Sequence, residues 1–190
     1  MKFLSHYKTA IYSIIFLFFL SSCSKEIETE TFDNNSLITV KLQGTKSLLN
    51  RANIEVLDVQ LRVLEDESSP NAWMSLNTIN TGIHDLTDIT DNEVVTLVDF
   101  DVIPTGFVYN IKLILGDRNS VVKNGVEYVV SMAPEYENES INMIGKELNA
   151  NKLYEFLIEF DVDRSIEFSS QGEVNLNPQI STHLRRFELF

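Results

Sequence analysis

The chain is poor in the residues that crosslink folds and line catalytic loops. Its 190 residues include one cysteine, four prolines, seven glycines, one tryptophan and three histidines. A single cysteine excludes an intrachain disulfide and any metal site built from several cysteines. There is no Gly-rich phosphate loop, no G-x-S-x-G elbow, no H-E-x-x-H pair and no EF-hand loop. Basic residues are the minority, 15 against 28 acidic ones, for a net charge of −13. Such a surface repels nucleic acid, so no nucleic-acid partner is expected. No apolar run reaches the roughly 20 residues that span a bilayer.

What apolar run there is lies at the start. Lys2 and Lys8 precede residues 10–20, which are apolar apart from Ser13. These are the proportions of a signal-peptide core. The run ends Leu20-Ser21-Ser22-Cys23, which resembles the bacterial lipobox. That resemblance implies cleavage before Cys23, a diacylglycerol on its thiol and an acyl chain on its new amine, holding the protein to a membrane. Two lipid signals already anchor a protein stably. The expected organisation is a signal peptide at 1–22, a lipidated tether at 23–35 and one domain at 36–190. Removing 1–22 takes away Lys2 and Lys8 and no acid, so the net charge becomes −15. The tether is polar and acidic and shows neither a helical nor a strand period. Its start, Ser24-Lys25-Glu26, resembles the acidic export signal of Bacteroidetes surface lipoproteins. The expected location is the outer membrane, facing outward, with the periplasmic face as the alternative.

From Ser36 onward the pattern is β. Residues 37–42 read as a short strand and 54–63 as a longer one, with Val59, Leu61 and Val63 inward and Gln60 and Arg62 outward. Further strands are expected at 73–76, 94–98, 109–115 and around the Asn124-Gly125 hairpin, whose residues supply the positive φ of a tight turn. Tyr154, Phe156, Ile158, Phe160 and Val162 share one face of another strand. Gln171-Gly172 turns the chain into a strand marked by Val174, Leu176 and Ile180, and 183–190 completes the set. A short helical turn is expected only at 85–92. Many short strands and no long amphipathic helix predict an all-β protein, a single antiparallel β-sandwich.

Residues 106–128, GFVYNIKLILGDRNSVVKNGVEY, the segment FDVDRSIEF from Phe160 and the closing VNLNPQI resemble the family called domain of unknown function 4382. Its pattern runs from a Pro-x-Gly turn through an I-x-L strand, a Gly-Asp-x-Asn turn and an Asn-Gly hairpin to D-F-D-x-x-x-S-I and L-x-P-x-I. The resemblance covers most of 37–181. Glu159 replaces the first Asp of the penultimate motif, and the tail from Thr182 is additional. The family implies a transthyretin-like or immunoglobulin-like sandwich in a secreted or lipid-anchored envelope protein. It carries over no catalytic residue.

The candidate sites are correspondingly few. Asp99, Asp101, Asp161 and Asp163 would make an oxygen-rich calcium site if their strands paired, but a solvated sheet face, or a turn in which Asp161 and Ser165 bond backbone amides, is the favoured explanation. His84 and His183 belong to no ligand pattern. Of the aromatic residues Trp73, Tyr109, Tyr128, Tyr136 and Tyr154, Tyr136 lies in a polar loop and is the best candidate for ligand contact. No cofactor is expected beyond the lipid on Cys23, and no enzyme activity. The expected role is a lipid-anchored sandwich for binding or adhesion, with a glycan, a protein or another envelope component as partner. The alternative is a structural subunit of a fimbria-like assembly built by strand exchange, with residues 184–190 as donor strand.

Overall fold

The computed structural model describes residues 34–91, 93–132 and 141–189, all within one unit, Phe32–Phe190. Among the described residues, thirteen strands and one short helix follow in order: β1 Asn35–Gly44, β2 Arg51–Arg62, β3 Trp73–Ser75, β4 Gly82–Asp85, β5 Val95–Pro104, β6 Gly106–Leu115, β7 Asn119–Lys123, β8 Val126–Met132, β9 Ile141–Leu148, β10 Lys152–Phe160, α1 Val162–Ser165, β11 Ile166–Phe168, β12 Val174–Leu176 and β13 Ile180–Glu188. No described helix is long and apolar enough to cross a membrane.

The strands form two sheets. One has the order β13-β10-β1-β5; the other has β11-β12-β8-β7-β2-β6-β9, with β3 and β4 also paired to β2. The expected all-β sandwich is what forms, but its sheets are mixed. β1 runs parallel to β10, and β12 runs parallel to β8. These pairings join strands far apart in sequence, so no hairpin signal announces them.

Alternation places the core. In β1, Ile38, Val40 and Leu42 are fully buried, and in register beside them stand Tyr154, Phe156 and Ile158 of β10. The second sheet answers with Ile54, Val59, Leu61, Ile111 and Leu113 in the same hydrophobic cluster. Removing these side chains from water is the main drive to fold.

The turn between β7 and β8 has φ of 52° at Asn124 and 77° at Gly125, as a two-residue hairpin requires. Where a short helical turn is expected at 85–92, the described residues form no helix but a hydrogen-bonded turn, the Asp88 amide donating to the Asp85 carbonyl at 3.2 Å and Asp85 Oδ1 accepting from the Thr87 amide at 3.0 Å. The helix that does form begins where Asp161, not part of β10, caps it, so Val162 reaches the core from α1. The tail seen as a donor strand pairs with β10 of its own chain, from Phe160↔Ile180 to Lys152↔Glu188.

Candidate functional site

β1 has two contrasting ends. At its last residue, Gly44 lies beside Phe160 of β10, and the chain passes into Thr45. There a polar cleft of about 210 Å³ is lined by Thr45, Glu159, Asp161, Arg164, Gln179, Ile180 and Ser181. Its floor is a clasp between two distant stretches. Asp161 Oδ1 accepts from the Arg164 amide at 3.0 Å and so caps α1. The Asp161 amide donates to the Gln179 carbonyl at 2.9 Å, and the Asn177 amide to the Ser165 carbonyl at 2.8 Å. Buried Ser165 closes the clasp. Its Oγ donates to the Asp161 carbonyl at 2.5 Å and accepts from the Gln179 amide at 2.8 Å. Two of the sequence motifs, around Asp161-Ser165 and Asn177-Gln179, are thus one hydrogen-bonded unit.

The groups left to meet solvent are Glu159, the second oxygen of Asp161 and Arg164. His183 Nε2 lies 3.3 Å from Glu159 Oε2, and Arg164 Nη1 lies 4.0 Å from Asp161 Oδ2. Carboxylates accept and guanidinium donates, so the cleft can receive hydroxyl, amide or mixed-charge ligands.

The four aspartates do not converge. β1 lies between β5, which carries Asp99 and Asp101, and β10, after which Asp161 and Asp163 follow. Each of three has its own structural role or partner. Asp101 Oδ2 accepts from the Asn77 amide at 2.9 Å, Asp161 caps α1, and Asp163 Oδ1 accepts from Ser47 Oγ at 2.5 Å. Asp99 is exposed. Among the described residues no group of three or more His, Cys, Asp or Glu side chains could hold a metal ion. The premise of the calcium site, strand pairing between β5 and β10, is therefore corrected.

The other end of β1 is apolar. Asn35 pairs with Pro104, and the Thr105 amide donates to the Asn34 carbonyl at 2.9 Å. A cleft of about 230 Å³ opens here between Val63, Met74, Ile103, Pro104, Thr105, Gly106, Phe107 and Val108. The Pro104-Thr105-Gly106 turn forms its rim. Phe107 meets Tyr109 edge-on at 4.7 Å, and Arg62 lies 5.2 Å above the Tyr109 ring.

The aromatic candidates divide. Tyr154 is fully buried, its hydroxyl accepting from the Asn149 amide at 2.9 Å. Tyr109 and Tyr128 are half-buried, Tyr128 edge-on to Phe168, and Trp73 lies under Lys112. His84 Nε2 meets the Asn80 carbonyl at 3.1 Å. Leu20, Ser21, Ser22, Cys23, Ser24, Lys25, Glu26 and Tyr136 lie outside the described residues.

One group escaped the reading of the sequence. Glu55 of β2 is buried, and its carboxylate accepts from the Arg118 amide at 3.1 Å, from Arg118 Nε at 2.8 Å and from Arg118 Nη2. Asn119 Oδ1 accepts from the Glu55 amide at 2.9 Å, and Asn119 Nδ2 donates to the Gly116 carbonyl at 2.8 Å. The Gly-Asp-x-Asn turn is therefore a lock on β2. The Arg118 side chain, then its amide, hold the Glu55 carboxyl below its ordinary range.

No curated protein matches the chain. A solved structure of a proposed cell adhesion protein from Parabacteroides distasonis is similar over 82% of this chain, at 10% identity and a TM-score of 0.39. The chain spans about half of that protein, 52% of its length. The likeness is too distant to carry a fold or a role across. The family match is different in weight: it runs over residues 35–178, a span that takes in the Pro-x-Gly rim, the Gly-Asp-x-Asn turn and the Asp161-Ser165 clasp. The chain belongs to the family described as Domain of unknown function (DUF4382).

Proposed function

We propose that this protein is a lipid-anchored lipoprotein of the outer membrane, held by acyl chains on Cys23, that presents a non-enzymatic β-sandwich outward for binding or adhesion. The observation that carries this reading is the opposition of the two ends of β1. The chain from Cys23 joins the domain at Asn34, beside the apolar cleft. The polar cleft lies past Gly44, ten strand residues away, or roughly 33 Å along an extended strand. A domain tethered at one end thus presents Glu159, Asp161 and Arg164 at the other. These groups sit on a hydrogen-bonded frame, as a preorganised binding surface needs. Their mixed polarity suits a glycan or a polar protein surface. The net acidic charge of the chain keeps such a domain soluble.

The test is made in intact cells. Wild type is expected to carry the acyl mass on a peptide beginning at Cys23 and to be reached by an antibody against the domain. Cys23→Ala loses the acyl mass and leaves the membrane fraction. Neutral replacement of residues 24–30 leaves the protein acylated but hidden from antibody. An unmodified Cys23 in wild type overturns the anchor, and an acylated wild type hidden from antibody overturns outward presentation.

A further inference from the structure

The outer face of the β13-β10-β1-β5 sheet is graded along its strands. Register places Phe187, Leu153, Leu37 and Val102 side by side in one row, one residue from each strand. Leu37 and Leu153 are half-buried, whereas Phe187 is 44% exposed and Val102 is 49% exposed. Phe100, 54% exposed, stands at the adjoining irregularity in β5, with φ of 49°. A phenylalanine with positive φ is uncommon and holds its ring out of the regular pleat. The next row is polar: Arg185 and Glu155 pair, and Glu155 also pairs with Lys41. Beyond it Lys41, half-buried Leu157 and His183 share a row, and Glu159 and Ser181 follow at the polar cleft. Around the rim from Val102 lie Pro104 and exposed Phe107 of the apolar cleft. Apolar groups on the outer face thus form a continuous row at the end where the chain from Cys23 arrives.

We infer that this end of the domain rests on the lipid surface that holds Cys23, with the Phe187-Leu153-Leu37-Val102 row and Phe107 seated at the headgroup–acyl boundary. The inference rests on the anchored reading proposed above and adds the orientation of the domain. Chain length carries it. Ten residues separate Cys23 from Asn34, and even fully extended they reach only about 35 Å. The apolar row begins three residues after Asn34, so it is the part of this sheet whose distance from the bilayer the tether limits most tightly. Aromatic and aliphatic side chains on one face, with charge behind them, partition to such an interface. The charges bordering the row are matched within the protein, Arg185 by Glu155 and Lys152 by Glu188, so the row itself carries no charge toward the headgroups. With this end down, the polar cleft points into the medium.

The experiment uses the full lipidated protein in phosphatidylcholine vesicles whose acyl chains carry bromine. The chain has one tryptophan, so Trp73→Phe gives a silent background. In it, Phe187→Trp places an indole in the row, and Val102→Trp is the second such variant. Leu157→Trp places one in the polar half of the same face. Retained thermal transitions confirm that each variant folds. Bromine is expected to quench the two row indoles about twofold or more, with a blue shift, and to leave the Leu157 variant unchanged. Equal or absent quenching at both places, on protein acylated at Cys23 and bound to vesicles, overturns the seating and leaves the anchor standing. A blue shift that ignores bromine but grows with protein per vesicle assigns the row to a second copy and overturns it too. Absence of the acyl mass overturns the anchor, and the seating with it.

Discussion

The polar and apolar ends of the sandwich are held by different physics. At the polar end, backbone and side-chain hydrogen bonds join β1, α1 and the segment before β13, and Gly44 lies so close to Leu86 that a Cβ would overlap its carbonyl oxygen. At the apolar end, Phe107, Val102 and Phe187 keep much of their surface in solvent. A hydrogen-bonded junction tolerates no change of shape, whereas an exposed apolar row tolerates almost any. The largest effect should therefore come from Gly44→Ala. The added methyl meets backbone, which cannot rotate away. Urea unfolding should show a loss of about 3 kcal/mol. Thr105→Ala, on the exposed rim of the apolar cleft, should stay within about 0.5 kcal/mol. Equal losses at both ends would remove the contrast.

The sequence made half of this contrast legible. The buried faces of β1, β2 and β10 could be read because alternation is local: Ile38, Val40 and Leu42 are spaced two apart, whatever they pack against. The Asn124-Gly125 hairpin was legible for the same reason. The apolar row was not, because Leu37, Val102, Leu153 and Phe187 become neighbours only through register, and one of the pairings is parallel. The aspartates misled in the opposite way. Asp161 continues the alternation of β10 in sequence, yet its side chain caps α1 and breaks the strand there. Glu55 gave no signal at all, since an acidic residue within a strand normally faces water and only Arg118, 63 residues later, makes it a buried lock.

An intermediate effect is expected at the clasp. Ser165→Ala removes the hydroxyl that accepts from the Gln179 amide and donates to the Asp161 carbonyl. The site is fully buried, so water does not replace the lost partner easily. The expected loss is about 1–2 kcal/mol in the same urea experiment. Ser165→Thr keeps the oxygen but adds a methyl, and so separates the hydrogen bond from the packing. If alanine costs nothing, the clasp is not what holds the polar cleft.

The smallest effect sharpens the contrast through pH. Glu55 forms a separate polar lock on β2, and its carboxyl is held below its ordinary value of 4.5, chiefly by hydrogen bonds from the Arg118 side chain and amide. A carboxyl depressed in the folded state contributes stability that is complete above its unfolded value. That contribution fades as pH falls past 4.5 and through the lower folded value. Glu55→Gln keeps the shape and removes the charge. Because Arg118 is largely exposed, water and salt screen the pair and keep the difference modest. The melting temperature of wild type should exceed that of Glu55→Gln by a constant margin from pH 7 down to about 5. Below 4.5 the margin should close, since a protonated Glu55 resembles the glutamine. The other carboxylates titrate in both proteins and cancel in the difference. A margin unchanged at the lowest pH would mean that the lock works by shape alone, as the apolar end does.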